Sequence, residues 1–340
     1  MDVTLFALMA VSLSAAAGKA RPGANTRTGS SDKAAINRNT ATTFLEDTPC
    51  PPVHLNRSRI CSAAMRKTRR PNRPTIASRS DRYQLYLDTV QSPESDVDFF
   101  IRAYRSAYPG NGAPRDLRED FCGTAAVCAE WVSRHRDNQA LGVDLDPEPL
   151  AWGHEHIIDK LKPEQSARVD LREGDVLSCR GPKADVLAAQ NFSFWCFKTR
   201  PELVTYLKRA RANLKKEGVM VLDMMGGSEV MEEDHEDVRR EKGFTYIWEQ
   251  KRFDPISHDC EFRIHFRFRD GSRLQNAFSY SWRLWTLPEL SELLAEAGFS
   301  SSSVYWEDED SDTGEGNGVY RRRPKAPAEP AWVAYVVARK

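Results

Sequence analysis

The residues best placed to do chemistry run from Leu117 to Pro147. Leu117-Arg118-Glu119-Asp120-Phe121-Cys122-Gly123-Thr124-Ala125 reads as a short strand ending in a tight turn that opens a helix. Leu141-Gly142-Val143-Asp144-Leu145-Asp146-Pro147 reads as the next strand, ending in an acid. Strand, turn, helix, strand and acid in that order form the geometry that holds a nucleoside. Small residues let the backbone approach the ligand, and a carboxylate at the second strand end can accept hydrogen bonds from both ribose hydroxyls. Asp144 is assigned that role.

Further along, Gln190-Asn191-Phe192-Ser193-Phe194 follows an apolar strand and carries two side-chain amides. A buried loop whose amides satisfy the backbone is the plainer reading. Tyr83 and Tyr86 share a helix ahead of the sheet, where they either cover a pocket or pack the helix. Trp248, Tyr280, Trp282 and Trp285 suit either a pocket wall or sheet core. His154 and His156 are two apart on a helix and face different directions, so no metal is expected. Seven cysteines, at 50, 61, 122, 128, 179, 196 and 260, form no Cys-x-x-Cys pair and favour reduced thiols.

Periodicity gives the strands and helices that carry these residues. Helical spacing marks Tyr83 to Val90 and Val97 to Tyr108, the second opened by Ser92-Pro93-Glu94. Strands at 115–119, 140–144, 168–171, 184–189 and 219–224 alternate with helices at 125–135, 147–161 and 201–216, an order that argues a parallel sheet with crossover helices. Thr199 and Glu202 form a capping box. A charged segment after Gly226-Gly227 is expected to be mobile. Then the period becomes two: Phe262, Ile264, Phe266 and Phe268 lead through Asp270-Gly271 to Phe278, Tyr280, Trp282 and Leu284, a hairpin. A capped helix from Thr286 to Gly298 and a strand from Val333 to Val337 close the chain, with Glu307 to Pro330 read as a long loop.

Glu119 to Ala125 resembles the acid-x-Gly-x-Gly-x-Gly loop of class I S-adenosylmethionine-dependent methyltransferases, which often appears as Asp-Leu-Gly-Cys-Gly-Thr-Gly. Cys122, Gly123 and Thr124 match directly and Glu119 falls on the acid. Phe121 and Ala125 stand at the first and third glycines, so the turn is expected to follow a somewhat different path. Gly174-Asp175-Val176 sits where that family places the acid that reaches the adenine amino group, and 185–191 resembles the fourth strand and the loop facing the methyl group. The likeness covers about residues 115–225, and the Arg-Glu-Asp-Phe-Cys-Gly-Thr run resembles an uncharacterised subgroup of the class.

The resemblance implies an α/β, Rossmann-like fold with a seven-stranded, mostly parallel sheet, an antiparallel hairpin extension and an N-terminal helical lid. It implies S-adenosyl-L-methionine as cofactor, held by Glu119, Phe121, Cys122, Gly123, Thr124, Asp144, Leu145, Asp175, Val176 and Gln190. Tyr83, Tyr86, Asn191, Phe192 and Trp282 are the substrate-binding candidates, and in methyl transfer Asn191, Gln190 or a nearby His would orient the acceptor or pass on its proton, with Asn191 the catalytic candidate. The expected activity is methyl transfer to nitrogen or oxygen of a small molecule, with a protein side chain or an inactive scaffold as alternatives. A nicotinamide dehydrogenase also uses a glycine loop and an acid, but Gly-x-Gly-x-x-Gly is lacking.

Length and charge set the frame. The 340 residues are 40% apolar, enough for one large domain with additions. The zero net charge hides thirteen Lys/Arg against four Asp/Glu in the first eighty residues. An apolar stretch from Val3 to Ala17 followed by an Arg, Ser, Thr, Asn and Pro-rich segment reads as a two-step organellar address, plastid favoured over mitochondrion or secretory pathway. The organisation expected is a leader at 1–79, disordered or removed, and a domain at 80–340: lid 80–112, cofactor-binding core 113–225, hairpin extension and last strands 226–340. With its charges scattered and without aromatics, the basic arm does not read as a nucleic-acid site. Past the leader no stable membrane insertion is expected. Arg263, Arg267, Arg269 and Arg273 read as a solvated strand face or a dock for an acidic partner.

Overall fold

The computed structural model describes residues 73–310 and 316–340. Of the leader expected at 1–79, residues 1–72 lie outside the described residues, whereas 73–79 are described and belong to the folded body, with a 3-10 turn at Ala77–Arg79, because the Ile76 and Ala77 amides find partners in Asp270 and Ser272. Two helices come first, α1 (Arg82–Thr89) and α2 (Pro93–Ala107). The α/β core follows in the order β1 (Asp116–Asp120), α3 (Ala126–Arg134), β2 (Gln139–Asp144), α4 (Pro147–His156), β3 (Val169–Glu173), β4 (Ala184–Ala189), α5 (Arg200–Asn213) and β5 (Leu214–Gly226). Four antiparallel strands come next, β6 (His235–Arg240), β7 (Phe244–Phe253), β8 (Asp259–Phe268) and β9 (Arg273–Arg283). The described chain closes with α6 (Leu287–Glu296), β10 (Ser301–Glu309), β11 (Gly316–Arg322) and β12 (Trp332–Arg339).

The main sheet has eight strands, in the order β11-β10-β12-β5-β4-β1-β2-β3, rather than seven. The pairs from β3 through β5 are parallel, whereas β12, β10 and β11 are antiparallel. The extra strand, β11, comes from the stretch read as loop. Its charged residues suit an edge, and Tyr320 alone buries deeply, against Phe99 and Tyr335 at ring distances of 6.1 and 4.7 Å. Central β4 is buried at all six positions, as a strand covered on both faces must be. Apolar cores lie on both faces of the sheet, one beneath α2 and α3, the other shared with α5 and α6.

The hairpin extension is larger than expected, because the charged segment after Gly227 supplies β6 and β7. Together β6 to β9 make a separate four-stranded antiparallel sheet. Strand β8 alternates as its period-two sequence requires, with Phe262, Ile264, Phe266 and Phe268 all buried. These side chains join the core that includes Trp195, Leu203 and Leu284.

Local signals act where they stand. The capping boxes Thr199/Glu202 and Thr286/Glu289 both form. Ser92 makes no side-chain cap, its hydroxyl instead bonding to Ser95 at 3.1 Å, and Pro93 alone opens α2. Helix α5 stops at Asn213, short of Lys216, because Leu214 is already paired with Ala184 in the sheet.

Of the two leading helices only α1 borders the cavity described below, while α2 lies flat on the sheet with Phe99 and Phe100 buried. Asp81 caps α1 through the Tyr83 and Gln84 amides and accepts the Trp152 indole N–H at 2.6 Å. On the other side, the Ile76 and Ala77 amides donate to Asp270 and Ser272 of the β8–β9 turn, and Arg239 donates to the Thr89 carbonyl. Helix α1 therefore bridges α4 and the second sheet. Among the described residues no helix is long and apolar enough to cross a membrane.

Candidate functional site

A cavity of about 480 Å³ opens at the carboxyl ends of the parallel strands, between the β1–α3 turn, the end of β2, α1 and β9. Crevices at that edge are where open α/β sheets bind ligands. Tyr83, Tyr86, Phe121, Gly123, Thr124, Asp144 and Asn191 all line it.

The β1–α3 turn takes left-handed backbone at Phe121 (φ 61°), Gly123 (φ 53°) and Ala125 (φ 59°). These are the three glycine positions of the resembled loop, so the turn keeps a glycine-like path despite two side chains. Left-handed backbone costs a non-glycine residue about 1–2 kcal/mol. At Phe121 packing offsets it: the ring lies 5.6 Å from Tyr206 and 6.1 Å from Phe197. A Cβ on Gly123 would meet nothing within 4 Å, which leaves open space for a ligand beside its backbone. From below, Gly153 of α4 presses so close that a Cβ would sit 2.1 Å from the Thr124 carbonyl oxygen.

Asp144 ends β2 and tethers this turn, accepting the Gly123 N–H at 2.7 Å and the Asp146 N–H at 2.9 Å. Burial raises its pKa, while these amides oppose the shift. It forms no ion pair among the described residues, and its carboxylate faces the cavity. The Thr124 hydroxyl is buried without a hydrogen-bond partner. Leu145, next to Asp144, is 71% exposed, an apolar surface left open beside the site. An acid with spare lone pairs, an orphaned hydroxyl and a bare aliphatic side chain fit a nucleoside: sugar hydroxyls, a polar edge and a flat base.

Other sequence candidates lie away from the cavity wall. Glu119 points under α3, where the Cys128 thiol donates to it at 3.0 Å, and burial pushes its pKa up to about 8. Cys122 and Val176 are core. Asp175 is exposed and accepts the Leu177 amide at 2.8 Å. Gln190 is buried, its side chain donating to the Val221 carbonyl. Phe192 and Trp282 pack with Trp195 inside the core. Strand alternation explains Glu119, since Arg118 and Asp120 face the other side of the sheet, joined at 2.7 Å and fully buried.

The sequence did not single out Arg82, Gln91, Asp146, Pro149, Ser193 or the stretch Asn276 to Ser279, all of which line the cavity. Asp146 carried a signal, the Asp-Pro-Glu start of α4, which it caps through the Glu148 amide. Asn276 carried none. It sits where β8 and β9 slip register, with φ 49°, and its N–H donates to His265 Nδ1 at 2.9 Å while His265 Nε2 meets Glu249 at 3.0 Å.

Arg82 stands at the mouth, 4.7 Å from the Tyr83 ring centre and 5.6 Å from that of Phe278, and pairs with Glu148 at 2.7 Å. The described residues contain no cluster of side chains suited to a metal ion and no disulfide, since Cys122, Cys128, Cys179, Cys196 and Cys260 are all free.

No family model and no curated protein matches the sequence. Solved structures do. An S-adenosylmethionine-dependent methyltransferase from Clostridium acetobutylicum aligns at TM-score 0.53 and 18% identity, over 75% of this chain and 96% of that one. An amino pentose methyltransferase from Micromonospora echinaspora, with S-adenosylmethionine bound, aligns at 0.53 and 20%, over 77% and 98%. A sugar N-methyltransferase from a Streptoalloteichus species aligns at 0.51 and 19%, over 77% and 94%. At such identities the likeness is one of fold: this chain has the fold of the class I methyltransferases, with its parallel core and antiparallel end.

Proposed function

We propose that this chain transfers a methyl group from S-adenosyl-L-methionine to a nitrogen or oxygen of a small molecule. The observation that carries the reading is the convergence of Asp144, Gly123 and the unpartnered Thr124 hydroxyl on the same cavity as Asn191. When bound, the cofactor supplies a methyl carbon already activated by a sulfonium, so catalysis rests mainly on alignment and exclusion of water. In this reading Asp144 accepts the ribose hydroxyls, Thr124 meets a polar group of the ligand and Leu145 covers one face of the base. Asn191 orients the attacking atom, and α1 with β9 encloses it between Tyr83, Tyr86, Phe278 and Tyr280.

The enclosure supports a compact acceptor, as do the sugar methyltransferase names of two of the similar structures. Calorimetric titration of the full chain with S-adenosylmethionine, S-adenosylhomocysteine and a nicotinamide dinucleotide is the test. Saturable binding of the first two alone supports the reading; binding of the dinucleotide alone, or of none, overturns it. We also read residues 1–72 as an organellar leader, plastid favoured, and a fluorescent fusion to that segment that stays outside every organelle would refute this.

A further inference from the structure

Strand β5 carries one acid in an apolar run, Val219-Met220-Val221-Leu222-Asp223-Met224-Met225. Asp223 is fully buried and, among the described residues, pairs with no cation. Its two oxygens are both used: Oδ2 accepts the Asn191 N–H at 2.7 Å and Oδ1 the Phe192 N–H at 2.9 Å. Both of those residues hold left-handed backbone, each at φ 57°, without being glycine. Two successive residues of that kind persist only where the surroundings impose them. The clamp sends the Phe192 ring inward, 5.5 Å from Trp195, and leaves Asn191 facing the cavity.

We propose that Asp223 is the positioning residue of this site, its ionised carboxylate clamping the Asn191–Phe192 turn in the shape that aims Asn191 at the acceptor, and its protonation loosening that turn. The inference rests on the reading of Asn191 as part of a methyl-transfer site. A neutral acid keeps one carbonyl oxygen and turns the other into a hydroxyl, so it no longer holds both amides equally.

The titratable groups that bear on Asp223 are Asp96 from α2, Tyr335 from β12, Tyr320 from β11 and Tyr86 from α1. Burial raises all four, Asp96 to about 8, and none is cationic. The two turn amides and Asp223's own backbone are thus what favour the charge, and burial still lifts the carboxyl to about 7. Both forms are populated near neutrality.

The test follows amide resonances in isotope-labelled full-length protein across about pH 5.5 to 8.5. The backbone amides of Asn191 and Phe192 and the side-chain amide of Asn191 should move together with one midpoint near 7. Asp223→Asn should abolish the step and speed hydrogen exchange at both backbone amides by about tenfold. Asp96→Asn should leave the step in place. Resonances that stay flat in the wild type, or that titrate unchanged in Asp223→Asn, overturn the proposal; if that variant fails to fold, the wild-type titration decides alone. S-adenosylhomocysteine binding is measured on the same samples. Its absence at every pH sinks the methyltransferase reading and leaves the clamp standing, whereas flat amides in a binding-competent protein sink only the clamp.

Discussion

Replacing Asp144 by Ala removes one carboxylate that serves two sets of partners. Within the chain it tethers Gly123 and Asp146 through hydrogen bonds of 2.7 and 2.9 Å, and toward the cavity it has lone pairs left for two ribose hydroxyls. A hydrogen bond to a charged acceptor contributes about 1.5–3 kcal/mol, so losing two weakens binding by about 3–6 kcal/mol. At about 1.4 kcal/mol per factor of ten, that is roughly a hundredfold to ten-thousandfold in Kd. Asp144→Asn keeps one carbonyl oxygen and should lose about half as much free energy. Calorimetry with S-adenosylhomocysteine measures the change, and circular dichroism confirms that each variant is folded. A folded Asp144→Ala protein that binds within about threefold of the wild type would remove Asp144 from the site, because a carboxylate bonding two ligand hydroxyls cannot be that dispensable.

Three further outcomes follow from the packing. Gly153→Ala places a methyl against the backbone at Thr124, an overpacking of about 3 kcal/mol, so Tm should fall by about 5–10 °C and cofactor binding should weaken with it. Asp81→Ala strips the α1 cap and its bond to the Trp152 indole; hydrogen exchange over residues 82–89 should rise about fivefold or more while the parallel sheet stays protected. Asp96 has a folded pKa raised to about 8, so the folded state binds the extra proton, and stability from this group falls as pH climbs from about 4 to 8. Asp96→Asn keeps an acceptor for the Tyr335 hydroxyl and should flatten that decline by up to about 1.4 kcal/mol per pH unit, read from melting curves between pH 6 and 8.

Elements whose cause is local are legible in the amino-acid order alone. The strand-turn-helix at 117–134, the Asp144 strand end, the capping boxes at Thr199 and Thr286 and the period-two strand from Phe262 to Phe268 are set by side-chain spacing and short-range hydrogen bonds, and each is legible in a window of a few residues. Other features depend on partners far along the chain. Strand β11 exists because β10 offers it an edge, though its own residues carry no period. The loop glycine positions hold Phe121 and Ala125 in left-handed backbone because packing with Phe197 and Tyr206 and the Asp144 tether impose the turn from outside. The Asn191 turn is held by an acid 32 residues away, visible in sequence only as one Asp in an apolar strand. Propensity and period act over neighbouring residues; a strained turn, a buried charge and an edge strand are stable only where distant groups meet them.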